Sequence, residues 1–159
     1  MTEENKTYQQ LKLDNQLCFR LYTASRLITQ EYEPLFKNLD ITYTQYLVLL
    51  VLWEMDDQPI NDIGKKLFLG INTTSPLIKR MEKLNLVARH GSDNDKRQQF
   101  VYLTKKGKAM KEEAAKIPGC MLNNLCGCGL SEEELMSIGP VLDKMIAGMF
   151  CQIEKLKKK

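Results

Sequence analysis

The cysteine at position 18 has neighbours that favour chemistry at its sulfur. A cysteine reacts as the thiolate, and because a free thiol has a pKa of about 8.5, a reactive one needs groups that stabilise its anion. Tyr22 comes four residues later, one helical turn along, where its hydroxyl could donate a hydrogen bond to that anion. The surrounding run Leu17-Cys18-Phe19 is apolar, so an unreactive cysteine packed in a core is the alternative.

A second tyrosine could serve the same sulfur only from another copy of the chain. Tyr32 lies fourteen residues after Cys18, on about the same face of a predicted helix. Along a straight helix that separation is roughly 21 Å, which is far beyond hydrogen-bonding distance. A second chain packed antiparallel could bring its tyrosine to this cysteine, so the spacing favours a dimer if the two residues act together.

Residues 70–107 contain a second pattern, which is typical of a DNA-binding surface. Apolar residues recur at the spacing of one helix face between positions 77 and 84. Strands are predicted at 86–90 and 100–103, joined by the turn-forming run Gly91-Ser92-Asp93-Asn94-Asp95. A helix that begins with small polar residues and is followed by a basic hairpin is typical of a winged helix-turn-helix. The small polar residues are Thr73, Thr74 and Ser75.

The positive charge of the chain is concentrated in the same region. Residues 65–108 contain eleven Lys/Arg and three Asp/Glu, a net +8 in a chain whose total is +3. The rest of the chain is therefore negative. Segregation of this size favours a face that binds a polyanion, and the alternative is a basic surface that is merely solvated.

Helical spacing and capping signals predict a mainly α-helical fold of about six helices with a small β-hairpin wing. Capping boxes are predicted where Thr42 precedes Gln45 and where Ser131 precedes Glu134. Besides the helix of the DNA-reading segment, helices are predicted at 11–36, 43–55, 60–67, 104–117 and 131–155, with a turn at 56–59 and a loop at 119–130. Gly139-Pro140 should kink or break the last helix, because proline removes a backbone donor.

We expect a single domain over residues 1–159. Residues 42–103 would form the winged helix-turn-helix module, and the segments 11–36 and 104–155 would supply dimerisation helices. Their apolar stripes are longer than one small domain easily buries, and modules that read double-stranded DNA usually act as two-fold dimers on an inverted repeat. The alternative is that these residues belong to the core of a monomer.

Composition excludes several classes of protein. The longest apolar run is too short to span a bilayer and the N-terminus has no apolar signal region, so a cytoplasmic protein without membrane contact is expected. Five cysteines, an odd number, do not suit a disulfide framework. Cys120, Cys126 and Cys128 lack the C-x2-C spacing of structural zinc, and the chain has one histidine, so neither metal nor cofactor is expected.

Residues 12–118 closely resemble the organic-hydroperoxide-sensing (OhrR-like) branch of the MarR family of winged-helix repressors. The resemblance lies in KLDNQLCFRLYTASRLITQEYEPLFKNLDITYTQYLVLLVLWE and in TTSPLIKRMEKLNLVARHGSDNDKR followed by LTKKGK. The strings LCFxLY and ITYxQYLxLLxLWE are specific to the branch, whereas D-x-R with LT-x-x-G marks the MarR family in general. The last forty residues match only loosely.

The resemblance implies a role for each matching residue. Cys18 would be oxidised to a sulfenic acid by an organic hydroperoxide, Tyr32 and Tyr43 of the partner subunit would hydrogen-bond its sulfur, and Tyr22 would lie nearby. In the wing, Arg97 would enter the minor groove and Asp95 would orient it. The residues expected at bases and phosphates are Thr73, Thr74, Ser75, Lys79, Arg80 and Lys96.

Two features depart from the family pattern or vary within it. Relatives commonly open the recognition helix with Asp-Ser-Gly, whereas this chain has Gly70-Ile71-Asn72, so capping should fall to Asn72 or Thr73. Some relatives link the sensing cysteine to a resolving cysteine of the other subunit, for which Cys126 is the first candidate and Cys120 the second. Other relatives use a small thiol instead.

The leading hypothesis is therefore a dimeric repressor, not an enzyme, that releases its operator when Cys18 is oxidised. One alternative is a MarR-type regulator gated by a non-covalent phenolic ligand or by metal. The other is a thiol-dependent peroxidase. Against the peroxidase, Arg20 and Arg26 are the only cations close to Cys18 in the sequence, and no Thr/Arg constellation that activates a peroxidatic cysteine accompanies it.

Overall fold

The computed structural model describes residues 8–91 and 98–157 and is mainly helical with one small sheet, as predicted. Two short 3-10 turns, Gln9–Leu11 and Leu13–Asn15, precede the first α-helix. The helices are α1 Leu17–Phe36, α2 Tyr43–Glu54, α3 Ile60–Lys66, α4 Ile71–Lys83, α5 Lys105–Ala114, α6 Ile117–Gly127 and α7 Glu132–Lys157. The strands are β1 Gln58–Pro59, β2 Val87–Gly91 and β3 Gln99–Leu103. Among these helices, none is both long and apolar enough to cross a membrane.

The chain forms two compact units, which divide between Ala115 and Lys116. The first unit contains α1 to α5 and the sheet, and α2 is its central helix. Val48, Leu49 and Leu52 of α2 are almost completely buried. Residues from α3, α4 and β3 complete this core, among them Ile63, Ile78, Met81 and Val101.

A short connection of fixed geometry joins α3 to α4. At the end of α3, Phe68 adopts φ +55° and the Leu69 N–H donates to the Gly64 carbonyl over 2.8 Å, which is a Schellman motif. Gly64 is required because a Cβ there would lie 2.9 Å from both the Leu69 carbonyl oxygen and Thr74 Oγ1. Helix α4 therefore packs very closely on α3, which sets the rotation of α4 about its own axis.

The wing is a three-stranded antiparallel sheet in the order β1-β3-β2. The β2–β3 hairpin confirms the predicted pair of strands. The turn predicted at 56–59 is wrong at Gln58–Pro59, because these residues pair with Val101 and Phe100 as a third strand. The buried Gln58 amide donates to the Val51 and Met55 carbonyls at the end of α2, so this strand is tied to the core.

The first helix begins at Leu17 and not at residue 11, so that prediction is wrong at its N-terminal end. The Asn15 and Gln16 side-chain amides donate to the backbone carbonyls of Gln9 and Gln10. Side chains that bond to nearby carbonyls in this way compete with the regular helical ladder.

The second unit contains a helix where the sequence analysis predicted a loop at 119–130. Pro118 lies in the first turn of α6, where proline's missing N–H costs nothing, so it starts a helix and does not end one. Helix α7 continues as one element through Pro140, so the predicted break is wrong, whereas a kink stays a prediction. The Ser131–Glu134 capping box is confirmed, with the Glu134 N–H donating to Ser131 Oγ over 3.1 Å.

Gly107 allows α5 to pack closely against the backbone of Leu86, the residue before β2. A Cβ there would overlap the Leu86 carbonyl oxygen, and the Gly107 carbonyl accepts from Trp53 Nε1 over 2.9 Å.

We expect Gly107→Ala to lower the free energy of unfolding by about 3 kcal/mol, measured by urea denaturation at fixed protein concentration. The matched control is Gly91→Ala, whose Cβ would make an ordinary contact at 3.8 Å. Equal stabilities of the two variants would contradict this packing.

Candidate DNA interface and redox centre

Helix α4 has one buried side and one solvent-exposed side. Leu77, Ile78 and Met81 form the buried side together with Thr74. The exposed side chains are those of Ile71, Asn72, Thr73, Pro76, Lys79, Arg80 and Lys83, and Ser75 is half-buried at the boundary. The predicted DNA-contacting residues Thr73, Lys79 and Arg80 are therefore placed on one accessible surface.

The start of α4 differs from the prediction. Gly70 is the N-cap residue, so the expectation that Asn72 or Thr73 caps the helix is wrong. Thr74 is completely buried, and its hydroxyl donates to the Gly70 carbonyl over 3.1 Å. Its side chain supports the α3–α4 contact, which leaves it no surface for the predicted contact with DNA.

An ion pair joins the recognition helix to the wing. Arg89 on β2 donates from Nε to Glu82 Oε1 over 3.0 Å, and its Nη2 lies 2.7 Å from Glu82 Oε2. Both side chains are less than one third exposed. A two-bond guanidinium–carboxylate pair fixes orientation as well as distance, so it sets the angle between α4 and the hairpin.

Two aspartates hold the base of the wing. Asp56 accepts from the Leu103 N–H over 2.8 Å and lies 3.1 Å from the Lys108 ammonium. Burial opposes ionisation of this carboxyl, but the hydrogen bonds from Leu103 and Lys108 outweigh it and lower the pKa of Asp56. The neighbouring Asp57 contacts His90 Nε2 at 2.8 Å across to β2. The tip residues Asp95, Lys96 and Arg97 lie outside the described residues.

Cations on α4 are available to an external anion. Lys79, Arg80 and Lys83 form no ion pair with any described residue, whereas Lys65 on α3 pairs with Asp62 at 2.9 Å. Unpaired cations on the exposed side of such a helix are suited to the phosphates that flank a groove.

The structure brings the two predicted sensing tyrosines together at the C-terminal end of α1. The ring centroids of Tyr32 and Tyr43 are 4.8 Å apart, and Phe36 stacks on Tyr32 at 5.3 Å. Burial raises the pKa of both tyrosines, and the charge of Tyr43 adds to this for Tyr32. Their hydroxyls therefore keep their protons at neutral pH and can donate hydrogen bonds to an anion.

Cys18 lies in the first turn of α1 and is exposed in the single chain. This exposure excludes the alternative of a cysteine buried in the core of one chain. Tyr22 is also exposed, and its hydroxyl accepts a hydrogen bond from Arg26 over 3.4 Å. The Arg26 guanidinium also lies 5.6 Å from the centre of the Tyr22 ring, so these two residues form a local pair.

The four remaining cysteines lie in the second unit, and none is in a disulfide. Cys120, Cys128 and Cys151 are exposed, and Cys126 is half-buried on α6. Cys128 donates to the Asn124 carbonyl over 3.4 Å. Within residues 8–91 and 98–157, no group of three His, Cys, Asp or Glu side chains could hold a metal ion.

Large apolar side chains are exposed on both α1 and α7. On α1 these include Leu17, which is 63% exposed, and Leu27. On α7 the exposed apolar residues are Met136, Ile138, Val141, Ile146, Met149, Phe150, Ile153 and Leu156. Exposed apolar surface of this extent marks a contact with another surface.

Sequence reasoning missed several residues of this interface. The Glu82–Arg89 pair had no detectable signal, because the two residues are on different elements whose packing the sequence does not give. The same holds for Asp57 and His90. Asn72 was considered only as a cap, although an amide in the first turn of a recognition helix is also a signal for base contact.

Comparisons with known proteins identify similar chains. A family model described as transcriptional regulator SarA/Rot matches residues 30–114. The organic hydroperoxide resistance transcriptional regulator of Bacillus subtilis (strain 168) is 40% identical over 156 residues, which are 98% of this chain and 99% of that protein.

Two solved structures of AbfR, a protein of Staphylococcus epidermidis, are also similar. The structure of reduced AbfR bound to DNA has a TM-score of 0.71 and 38% identity, and the match covers 89% of this chain and 96% of that one. The structure of disulfide-formed AbfR has a TM-score of 0.56 and 38% identity, and covers 87% of this chain and 95% of the other.

The Glu82–Arg89 pair should contribute measurably to the stability of the wing. We expect a double-mutant cycle with Glu82→Ala and Arg89→Ala to give a coupling energy of about 1 kcal/mol in urea denaturation. The exposed Asp62–Lys65 pair is the control and should give about 0.3 kcal/mol. Equal coupling energies for the two pairs would mean that the pair does not fix the hairpin on α4.

Proposed function

Because the chain belongs to the MarR family of winged-helix transcriptional regulators, in its organic-hydroperoxide-sensing branch, we propose that it is a dimeric repressor that releases its operator when Cys18 is oxidised. One observation carries the redox part of the proposal. Two protonated tyrosines, Tyr32 and Tyr43, pack together at one end of α1, while the cysteine is exposed near the other end. This arrangement suits a sensor that is completed by a second chain.

The exposed apolar surfaces support an interface between two copies of the chain. Helix α1 carries Leu17 and Leu27 on its surface, and α7 carries a longer set of exposed apolar residues. Burial of these side chains in a dimer would remove apolar area from water and stabilise the association. In an antiparallel arrangement of the two α1 helices, Cys18 of one chain would meet the tyrosine pair of the other.

The oxidation step needs only the thiolate and a peroxide. The Cys18 thiolate attacks the terminal oxygen of the hydroperoxide, the O–O bond breaks, and the products are a sulfenic acid and an alkoxide that takes a proton from a donor. Sulfur is oxidised by two electrons and the peroxide is reduced to an alcohol. The hydrogen bonds from Tyr32 and Tyr43 to an anionic sulfur are then lost, which would change how the two subunits pack.

A second thiol would then convert the sulfenic acid to a disulfide with release of water. We propose Cys126 for this role and Cys120 as the second candidate, with a small cellular thiol as the remaining source. AbfR, the relative with a disulfide-formed structure, supports a disulfide step in this class of regulator. Either product would hold the sulfur away from the tyrosines.

The DNA-binding step uses α4 and the wing. Helix α4 would enter the major groove, with Thr73 and Ser75 at the bases and Lys79 and Arg80 at phosphates. Lys96 and Arg97 of the wing would contact the adjacent backbone and minor groove, and Asp95 would orient Arg97. The relative AbfR in its reduced form is bound to DNA, which supports the reduced dimer as the binding form. Such a regulator acts where the chromosome is, so we propose a cytoplasmic location.

A cavity in the first unit supports one alternative mode of regulation. It has a volume of about 550 Å³ and is lined by residues that include Thr29, Phe36, Ile41 and Tyr43. Cavities of this size hold small aromatic ligands. A non-covalent phenolic ligand bound there would act on Cys18→Ser as well as on the wild type, which separates this alternative from peroxide sensing.

The redox assignment is tested by the response of Cys18→Ser to peroxide. We expect cumene hydroperoxide to abolish binding of the wild type to inverted-repeat DNA in a mobility-shift titration, while Cys18→Ser remains bound at every concentration. Cys151→Ser is the control and should be released like the wild type. Release of the Cys18→Ser variant at the wild-type peroxide concentration would show that another group senses the oxidant.

The resolving thiol is identified by mapping the sulfurs that become linked. After peroxide treatment of the wild type, mass spectrometry of non-reduced peptides should find Cys18 joined to Cys126 across two chains. Cys126→Ser should leave Cys18 as a sulfenic acid or joined to an added small thiol, and Cys120→Ser should behave as the wild type. A link from Cys18 to Cys120 would reverse the order of the two candidates.

A further inference from the structure

We propose that Asn72 reads one adenine in the major groove of each operator half-site. Its Oδ1 would accept a hydrogen bond from the adenine N6 amino group, and its Nδ2 would donate to the adenine N7. This inference rests on the proposed function, because it takes α4 as the helix that enters the groove. It adds a preference for adenine at one position to the base contacts proposed for Thr73 and Ser75.

The position of Asn72 on α4 follows from the buried side of the helix. Thr74, Leu77 and Ile78 face the core with Met81, and at 3.6 residues per turn Asn72 lies opposite to them. The same outward line continues through Pro76, Lys79 and Lys83, which are all exposed. Asn72 is thus the first residue of the line that faces away from the protein.

The amide of Asn72 is chemically available. Asn72 is exposed, and its side chain has no hydrogen-bond partner among the described residues. Gly70 is the N-cap, so the amide is not engaged at the end of the helix. The N-terminal residues of a recognition helix are those that contact base edges, and paired bonds to N6 and N7 of adenine are the favoured contact of an asparagine.

The cations further along α4 are better suited to phosphates than the Asn72 amide is, which favours a base contact for the amide. Lys79, Arg80 and Lys83 supply positive charge for phosphates, which a neutral amide binds less strongly. The chain should therefore prefer a half-site in which one position is adenine, and this preference should depend on a single residue.

Atom-specific changes in the DNA test the contact directly. Operator sites would be selected from a random pool with the reduced full-length protein, and binding would be measured by fluorescence anisotropy with wild type and Asn72→Ala. Adenines of one half-site would be replaced singly by 7-deazaadenine, which lacks the N7 acceptor. We expect one such replacement to weaken wild-type binding roughly 5- to 150-fold and to leave Asn72→Ala unaffected.

Two further variants separate base contact from other roles. Asn72→Asp has almost the same shape but lacks the amide donor, so it should lose the same adenine preference. Lys79→Ala, the control for a phosphate contact, should weaken binding to all sequences alike and lower the slope of log affinity against log salt by about one. Asn72→Ala should leave that slope unchanged, and circular dichroism should show wild-type helix content because the side chain is exposed.

The outcomes distinguish this inference from the proposed function. If 7-deazaadenine weakens the wild type and Asn72→Ala equally at every position, or if Asn72→Ala lowers the salt slope as Lys79→Ala does, the adenine contact is wrong. Binding to an inverted repeat and release by peroxide would then still stand. If the reduced wild type selects no DNA sequence at all, both the proposed function and the contact are wrong.

Discussion

The length of α1 is the constraint on which the sensing arrangement depends. A helix is a stiff rod, so residues that lie near its two ends cannot meet within one chain. Cys18 is in the first turn of α1, and Tyr32 packs against Tyr43 near the last. One polypeptide thus presents a thiol and a set of hydrogen-bond donors that are kept apart. The proposed switch needs two chains for this reason, because oxidation of Cys18 in one chain would break hydrogen bonds donated by the other chain.

Contacts within one chain hold α4 and the sheet in place, whereas the proposed sensing site needs residues of a second chain. Thr74 is buried beneath Gly64, the carboxylate of Glu82 holds Arg89 on β2, and Asp56 anchors β3 to α5. These contacts join α4 and the sheet within the first unit. A change in how two subunits pack would therefore move α4 and the sheet of each subunit together. The distance between the two α4 helices would then no longer match the spacing of the two half-sites of an inverted repeat.

Much of the fold follows from local patterns in the sequence, and the rest depends on packing. The apolar run of α2, the period of apolar residues in α4, the Thr42–Gln45 and Ser131–Glu134 signals and the β2–β3 hairpin are local features, and they were predicted correctly. The errors arose where one residue type has two uses. Pro118 directly follows the helix predicted at 104–117 but lies in the first turn of α6, and Gln58–Pro59 resembles a turn until β3 lies beside it. The pairing of Tyr32 with Tyr43 was implied by resemblance, whereas the burial of Thr74 required the structure.

The connection between α3 and α4 has a consequence for how regulators of this kind can diverge. Four residues, 67–70, link the two helices, and hydrogen bonds from Phe68 and Leu69 to the last turn of α3 hold the first part of that link. An insertion of one residue into α4 after this link would rotate everything beyond it by about 100°, turning Lys79 and Lys83 away from the exposed side of the helix. Side chains on the exposed side of α4 can therefore be exchanged without disturbing this link, whereas a change in the number of residues between α3 and that side cannot.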